Sequence, residues 1–349
     1  MGTALRTTLF GESHGPAVGA LIEGMPPGTP IDEAQLAADL QARRPGGRYA
    51  SRRAESDQAQ LLSGIHQGCA TGYPILVLVR NEDARTKDYS FLPDHPRPGH
   101  ADLPMMRGTA GHADLRGGGS ASARLTLGLV ASGSLARPIL GDIRVLAHVH
   151  SIGEVIADPS VPVESPLHDE IRCRDPKASL RMMDLIDDVR RDRDSIGSSV
   201  EVRIEGLPIG FGAPWFSGIE PALAHALMAI PGARALEFGH GIAAGQARGS
   251  EHNSSWEGDP ESPSMGGLTP DGALGGFATG APVIARLTLK PPSSIPRAQR
   301  TLNLASGEEE DLIVRGRHDP VLAPRAVAVV EAVARLVVAD LALMRGRGT

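Results

Sequence analysis

The chain has 349 residues, 41% apolar and 22% charged, which is typical of a soluble globular protein with an ample core. Its formal net charge of −6 argues against sequence-independent nucleic-acid binding, and its two cysteines support neither a disulfide framework nor a cysteine zinc site. The N-terminal segment lacks the pattern of a secretory signal and no stretch is apolar enough to span a bilayer, so we expect a cytoplasmic protein.

Five stretches are predicted strands and five are predicted helices. The strands are 18–23, 74–80, 144–150, 199–205 and 282–290. The helices are 31–44, 121–136, 178–193, 219–229 and 324–345. In the first helix Thr29 is the predicted cap, Pro30 the first helical residue, and Asp32 completes a spacing like that of a capping box. The last helix is apolar on most faces, which favours a position between two layers.

A weak internal repeat links the two ends of the chain. Residues 22–28, IEGMPPG, reappear as 204–210, IEGLPIG, and each copy follows a predicted strand and leads to a predicted helix. Two matched strand-turn-helix units favour a duplicated chain, with two sheets and helices packed between them. Chance is the alternative, because 42 glycines and 28 prolines make such turns frequent. Segment 251–272 is acidic and rich in Pro and Gly, so it is predicted to be an unpatterned mobile loop and a candidate lid.

The run 11–15, GESHG, places a hydroxyl and an imidazole side by side on a glycine-bounded turn. It matches the G-x-S-x-G pattern of a hydrolase nucleophile elbow, which lies between a strand and a helix of an established sheet. Here about a dozen residues precede Ser13, and a predicted strand follows the run. The hydrolase reading is therefore disfavoured. Neighbouring Ser13 and His14 can instead donate to an anion or move a proton.

Two further histidines have polar neighbours on turns. His100 lies in RPGHAD, residues 97–102, and His318 lies in GRHDP, residues 316–320. Histidine carries protons near neutral pH, and the arginine in each motif suits a carboxylate or a phosphate. Metal ligation is an alternative, although none of these histidines has the paired spacing of a zinc site.

Three cationic or glycine-rich segments are candidate anion sites. Residues 116–124, RGGGSASAR, open a predicted helix, where bare backbone amides bind anions. Residues 290–294, KPPSS, place a cation and two hydroxyls just past a strand, and residues 43–48, RRPGGR, end the first helix. The alternatives are a flexible turn for the glycine run and dipole partners for the arginines.

Taken together, these motifs resemble those of the chorismate synthase family, nearly end to end. The resemblance rests on 11–15, 43–53, 81–85 with 88–89, 97–102, 116–124, 290–295 and 316–320. It implies an α+β fold, a layered β-α-β sandwich with helices packed between two antiparallel sheets. We expect one domain, 1–349, whose pseudo-repeat halves are roughly 1–150 and 195–349, assembled as a homotetramer.

The resemblance also implies a reaction, a cofactor and the residues that serve them. The reaction is a 1,4-anti elimination of phosphate from 5-enolpyruvylshikimate 3-phosphate, which gives chorismate and needs reduced FMN without net redox change. His14 matches the acid that protonates the leaving phosphate, with Ser13 beside it, and His100 matches the histidine that keeps the reduced flavin in its protonation state. Asp319 and Ser122 match a proton relay at flavin N5.

The remaining site residues are implied in two groups. The substrate's phosphate and carboxylates would meet Arg43, Arg48, Arg97, Arg124 and Arg317. The flavin would contact Ser120, Ala121, Ser122, Pro231, Gly232, Gly275, Lys290, Pro291, Pro292, Ser293, Ser294 and Arg317. No metal is implied. An external reductase, ultimately dependent on NAD(P)H, would supply the reduced FMN.

The chain departs from the family's usual residues near the glycine run. Ser120 stands where arginine is usual, and Leu125 stands where glutamate is usual. A second hypothesis is therefore a non-catalytic relative that binds an anion or assembles with partners. Retention of Ser13, His14 and His100, among others, speaks against it.

Overall fold

The computed structural model describes residues 1–44, 57–82, 89–163, 170–267, 271–316 and 318–346. Its strands are β1 (Arg6–Gly11), β2 (Ala17–Glu23), β3 (Gln60–Leu61), β4 (Ile65–His66), β5 (Cys69–Ala70), β6 (Ile75–Arg80), β7 (Arg144–Ile152), β8 (Val155–Ile156), β9 (Ser198–Glu205), β10 (Ala233–Phe238), β11 (Trp256–Asp259), β12 (Ser262–Met265), β13 (Ala273–Leu274), β14 (Phe277–Ala278), β15 (Val283–Leu289), β16 (Gln299–Leu302) and β17 (Glu309–Leu312). Its α-helices are α1 (Glu33–Arg43), α2 (Asp102–Gly108), α3 (Thr126–Leu135), α4 (Pro176–Arg191), α5 (Ile219–Leu227), α6 (Gly249–His252) and α7 (Ala323–Gly346).

Two antiparallel sheets form the framework. The first has the strand order β1-β2-β6-β3, and the second has the order β10-β15-β9-β7-β8. At the centre of the second sheet Val202 pairs with Ala147 on one side and with Ala285 on the other, and all three are buried. Small and branched apolar residues therefore line one face, which is the face that a helix can pack against.

The helices lie between these sheets. Helix α3 packs against β2 of the first sheet and against α7, while α7 packs against β7 and β9 of the second sheet. Helices α1 and α5 flank them, α1 against α3 and α7, and α5 against α7 and β10. Because α7 has apolar neighbours on several sides, it is buried over most of its length, as its composition predicted. The predicted α+β sandwich is confirmed.

Two local predictions were wrong. Helix α1 begins at Glu33, and its cap is Asp32, whose Oδ1 accepts a hydrogen bond from the Gln35 amide at 2.9 Å. Thr29 instead donates its hydroxyl to the Pro26 carbonyl at 2.8 Å, which closes the preceding turn. The segment 251–272 has regular structure, because it contains the end of α6 and the β11–β12 hairpin. Its residues 268–270 lie outside the described ranges.

The internal repeat has a structural counterpart. Gly24 and Gly28 in the first copy have φ of 87° and 82°, and Gly206 and Gly210 in the second copy both have φ of 78°. The Gly28 amide donates to Ala70 at 2.8 Å and the Gly210 amide donates to Ala278 at 2.9 Å, each in a short hairpin. This correspondence supports duplication, while the division into halves 1–150 and 195–349 stays a prediction.

The two ends of the chain are joined. Asp340 on α7 accepts hydrogen bonds from the amides of Ala4 at 2.6 Å, Leu5 at 2.8 Å and Thr3 at 2.9 Å. These bonds hold the start of β1 against the last helix, although Asp340 follows it by more than three hundred residues. Within the described ranges, no helix is both long enough and apolar enough to cross a membrane.

Candidate active site

The glycine run forms a tight loop whose residues have left-handed conformations. Gly117, Gly118 and Gly119 have φ of 59°, 86° and 51°, values that other L-residues rarely adopt. The loop precedes a short 3-10 helix, Ala123–Leu125, whose cap is Ser122: the Ser122 Oγ accepts from the Arg124 amide at 3.2 Å. The loop therefore carries no side chains just before α3, and its Gly118 and Gly119 are buried.

The GESHG turn packs directly on this loop. An ideal Cβ placed on Gly117 would lie 2.7 Å from Ser13 Oγ and 2.8 Å from His14 Cδ2, so only glycine fits. The Ser13 amide also donates to the Gly119 carbonyl at 3.2 Å. Ser13 is 5% exposed, and within the described ranges its Oγ has no hydrogen-bond partner. A buried hydroxyl of this kind is suited to a polar atom of a ligand.

Asn81 holds the turn in place from the end of β6. Its Nδ2 donates to the carbonyls of Glu12 at 3.0 Å and Gly15 at 2.8 Å, on both sides of the Ser-His pair. The His14 ring also meets the Tyr89 ring edge to face, with 5.0 Å between their centroids. The pairing of β1 with β2 therefore places the Ser-His pair on the turn between these strands. Asn81, which follows β6, holds that turn in its conformation.

His100 faces the same loop at the next glycine. An ideal Cβ on Gly118 would lie 3.6 Å from His100 Cε1 and 3.7 Å from both His100 Nε2 and the Ser122 Cβ. Three predicted site residues, His14, His100 and Ser122, thus border one glycine loop.

An ion-pair cluster formed by Arg97 and Asp102 contacts the Nδ1 side of His100. The His100 Nδ1 lies 2.7 Å from Asp102 Oδ1, and Arg97 binds the same carboxylate through Nη2 at 2.7 Å and Nε at 2.8 Å. Burial raises the pKa of Asp102, but the hydrogen bonds from Arg97 and His100 outweigh it and hold that pKa well below its usual range. Asp102 is therefore a buried anion at neutral pH.

A second cluster lies where α1 ends. Asp57 is shared by Arg43, whose Nη2 lies 2.8 Å from Asp57 Oδ2, and by Arg124, whose Nε also donates to Asn81 Oδ1 at 3.0 Å. Burial raises the pKa of Asp57, yet the two guanidinium groups hold it below its usual value. Burial, with Arg325 nearby, lowers the pKa of Arg43 to about 10.

This second cluster brings buried cations together. Two of them, Arg43 and Arg124, share the Asp57 carboxylate. A chain of net charge −6 thereby concentrates positive charge at one place.

The segment 290–294 closes another side of the site. Lys290 Nζ donates to the Gly99 carbonyl and lies 3.0 Å from Ser293 Oγ, which donates to the same carbonyl at 2.7 Å. Burial, with Arg234 nearby, lowers the pKa of Lys290. The Lys290 amide donates to Gly232 at 2.9 Å, which joins residues 231–232 to this segment.

Ser294 and the Asp319 segment complete the surroundings. Ser294 Oγ accepts from Arg97 Nη1 at 3.1 Å. The Asp319 carboxylate pairs with Arg325, the residue whose charge acts on Arg43. Burial, together with the charge of Arg97, lowers the pKa of His318. His318 is therefore coupled electrostatically to Arg97, and Asp319 is paired with Arg325.

Several predicted site residues are not joined to this group. Ser120 and Ala121 are exposed at the end of the glycine loop. Gly275, with φ of 60°, turns the β13–β14 hairpin, which packs near the start of α5, and no described contact links it to the loop. Arg48 and Arg317 lie outside the described residues.

Other residues in the site had no role assigned from the sequence. Asp57 lies outside the motifs that carried the resemblance, and nothing in its local sequence singles it out. Arg325 is also outside them. Asn81, Tyr89 and Asp102 lie within those motifs, and the spacing of Asp102 two residues after His100 is the one signal that pointed to a contact.

The arrangement can bind an anion and move protons beside it. Cations, buried hydroxyls and a bare glycine loop suit phosphate and carboxylate groups. Imidazoles on two sides of the loop can give or take protons near neutral pH. This combination suits a reaction in which an anionic group leaves.

Comparisons with known proteins agree on one family. The family model described as chorismate synthase matches residues 5–343. A chorismate synthase of Aeropyrum pernix is 45% identical, over 99% of this chain and 93% of its own length. One of Methanosarcina mazei is 40% identical, over 99% of this chain and 96% of its own. A solved structure titled "Crystal Structure of Chorismate Synthase" superposes with a TM-score of 0.76 at 25% identity, covering 99% of this chain and 93% of that one.

Proposed function

The chain belongs to the chorismate synthase family, and from that premise we propose how its residues divide the work of the reaction. The chain is a lyase that converts 5-enolpyruvylshikimate 3-phosphate to chorismate in aromatic amino acid biosynthesis. The proposal concerns the route, a 1,4-anti elimination in which the C–O bond to phosphate breaks and a C6 hydrogen is lost. The observation that carries it is the convergence of Ser13, His14, His100 and Ser122 on one left-handed glycine loop.

The arginine clusters bind the substrate anion. Arg43 and Arg124 are buried together on Asp57, and Arg97 lies beside His100. Arg48 and Arg317 belong to the same proposed group. Guanidinium groups bind phosphate and carboxylate in a fixed planar geometry, so they orient the substrate as well as attract it.

His14 gives a proton to the departing phosphate. It stands against Gly117, next to the buried Ser13 hydroxyl that lacks a described partner. Protonating a phosphate oxygen neutralises charge as the C–O bond lengthens, and the Ser13 hydroxyl donates to a second oxygen. The glycine loop allows the ligand to approach backbone amides directly.

The residues around the loop fit reduced FMN. Three observations support the fit: the Ser13 hydroxyl is buried and lacks a described partner, the His100 ring faces Gly118, and the Lys290 cation lies 3.0 Å from the Ser293 hydroxyl. When bound, reduced FMN would supply electron density as phosphate leaves and would regain it as the hydrogen departs. The residues proposed to hold it are Ser120, Ala121, Ser122, Pro231, Gly232, Gly275, Lys290, Pro291, Pro292, Ser293, Ser294 and Arg317.

Three residues manage protons on the flavin side. His100 presents its ring to the loop at Gly118 and maintains the protonation state of the reduced flavin. Asp319, with Ser122, accepts and passes on the proton lost from the substrate. Asp319 is tied to Arg325, so its carboxylate is held in place by an ion pair.

We also propose a homotetramer in the cytoplasm that takes reduced FMN from an external, NAD(P)H-dependent reductase. Trp215 and Phe216 support self-association, because they are 82% and 94% exposed next to each other. Light scattering after size exclusion tests the assembly: a mass of four chains is expected, and a monomer would contradict it.

The deciding experiment is an anaerobic assay with 5-enolpyruvylshikimate 3-phosphate and chemically reduced FMN. Chorismate and phosphate are expected in equal amounts, and none is expected with oxidised FMN and no reductant. The competing hypothesis, a non-catalytic anion binder, predicts substrate binding by calorimetry without either product. That outcome would overturn the proposal.

A further inference from the structure

We propose that Asp102 is a positioning residue that fixes the tautomer and orientation of His100. Its carboxylate stabilises the hydrogen on His100 Nδ1, which leaves Nε2 to face the glycine loop. The inference rests on the proposed role of His100 in the site and adds the group that makes that role possible.

The geometry around Asp102 leaves it little freedom. Asp102 is 1% exposed, and Arg97 holds it at both oxygens, with Nη2 at 2.7 Å from Oδ1 and Nε at 2.8 Å from Oδ2. The Arg97 amide adds a third hydrogen bond to Oδ2 at 3.0 Å. His100 Nδ1 then lies 2.7 Å from Oδ1, well within ion-pair distance of that carboxylate.

Two neighbours compete for His100 Nδ1, and they require opposite protonation states. Arg97 Nη2 lies 3.1 Å away and can only donate, whereas Asp102 Oδ1 lies 2.7 Å away and can only accept. Arg97 Nη2 carries two hydrogens and donates one of them to Asp102 at 2.7 Å. An unprotonated Nδ1 would hold its lone pair 2.7 Å from the Asp102 anion, which is repulsive, so we assign the hydrogen to Nδ1.

The other ring nitrogen points at the proposed ligand space. An ideal Cβ on Gly118 would lie 3.7 Å from His100 Nε2, so a glycine there leaves that nitrogen facing the loop. With Nδ1 protonated, Nε2 of the neutral ring is an acceptor, ready to take and return a proton. Without the carboxylate, the ring could rotate or exchange tautomers.

Because Arg97 neutralises the Asp102 charge, the main effect of Asp102 is on orientation. Asp102→Asn keeps the shape of the side chain but replaces one acceptor with a donor. We expect kcat to fall about 10- to 100-fold, the usual cost of losing a group that orients a functional histidine. The matched control is Glu310→Gln, because His95 Nε2 and Glu310 Oε2 form a comparable pair at 2.8 Å away from the loop. That variant should keep wild-type turnover.

A double-mutant cycle separates action through His100 from action through Arg97 or the fold. If Asp102 acts through His100, Asp102→Asn should cost little further turnover in a His100→Ala background. If the 10- to 100-fold loss persists in that background, the inference is wrong.

A spectroscopic test needs neither substrate nor flavin. In the wild-type protein at about pH 9, where imidazole is neutral, the ¹⁵N chemical shifts of His100 should report protonation at Nδ1; the His100→Ala spectrum assigns the signals. Asp102→Asn should shift the population toward Nε2 protonation. Protonation at Nε2 in the wild type would overturn the inference even if the variant does not fold. An inactive enzyme with the expected tautomer would instead count against the proposed function alone.

Discussion

Gly117→Ala tests whether the glycine loop positions the Ser-His pair. The new Cβ would lie 2.7 Å from Ser13 Oγ and 2.8 Å from His14 Cδ2, whereas ordinary contact begins at 3.4 Å. Relief needs displacements of about 0.7 Å and 0.6 Å. Both clashing atoms belong to side chains, so the fold can survive while the two functional groups move away.

The expected magnitude has two parts. Alanine at φ of 59° costs about 1–2 kcal/mol of stability, because its Cβ crowds the following carbonyl oxygen. A displacement approaching 1 Å at reacting groups costs up to about 10² in rate. We therefore expect kcat to fall by about 10- to 100-fold in Gly117→Ala.

Gly141→Ala is the matched control. Gly141 has φ of 56°, nearly the value at Gly117, but a Cβ there would meet nothing within 4 Å. Its ψ of −121° differs from the 15° of Gly117, so alanine at Gly141 carries at least as much backbone strain, but without the clash. Gly141→Ala should therefore lose at least as much stability in urea denaturation, yet only Gly117→Ala should lose turnover in the anaerobic chorismate assay. Equal kcat in the two variants would refute the argument that this loop sets the positions of Ser13 and His14.

The remaining predictions concern the histidines and two buried carboxylates. His14→Ala and His100→Ala should each lower kcat by roughly 10²–10⁴ in the same assay, as for a lost general acid or base; wild-type turnover would remove that assignment. Asp57→Asn should reduce the free energy of unfolding by about 3–5 kcal/mol in urea, because two buried guanidinium groups lose their carboxylate; an unchanged midpoint would contradict it. Burial raises the pKa of Glu201, but the hydrogen bond from His148 and nearby cations hold it at about 2, below the 4.5 of an unperturbed glutamate. Its stabilisation, about 3 kcal/mol, is therefore full above pH 4.5 and lost as the pH falls toward 2, so Glu201→Gln should flatten that part of the stability profile; parallel profiles would refute it.

Much of the fold could be predicted because its central elements are long and regular. The strands corresponding to β7, β9 and β15 and the helix α7 were predicted to within a few residues. Strand β1 was missed, since most of its residues are only partly buried and its apolar pattern is short. The cap of α1 was misplaced because Thr29 and Asp32 both suit the position, and only the hydrogen bond to Gln35 distinguishes them.

The candidate site was less predictable because its contacts are tertiary. The resemblance supplied His14, His100 and Ser122 as separate positions, and the glycine loop that joins them is visible only in three dimensions. Asp57 had no local signal, since its role comes from two arginines on other segments. Arg325 was missed for the same reason.

The bonds from the first residues to Asp340 bear on how the chain is made. At roughly 5–20 residues per second, a ribosome reaches Asp340 about 16–66 s after it finishes β1. During that interval the amides of Ala4 and Leu5 cannot have their final partner. The start of β1 therefore gains its anchor on α7 late, whereas the Ser-His turn can already pack on Gly117 and Asn81, which are made much earlier.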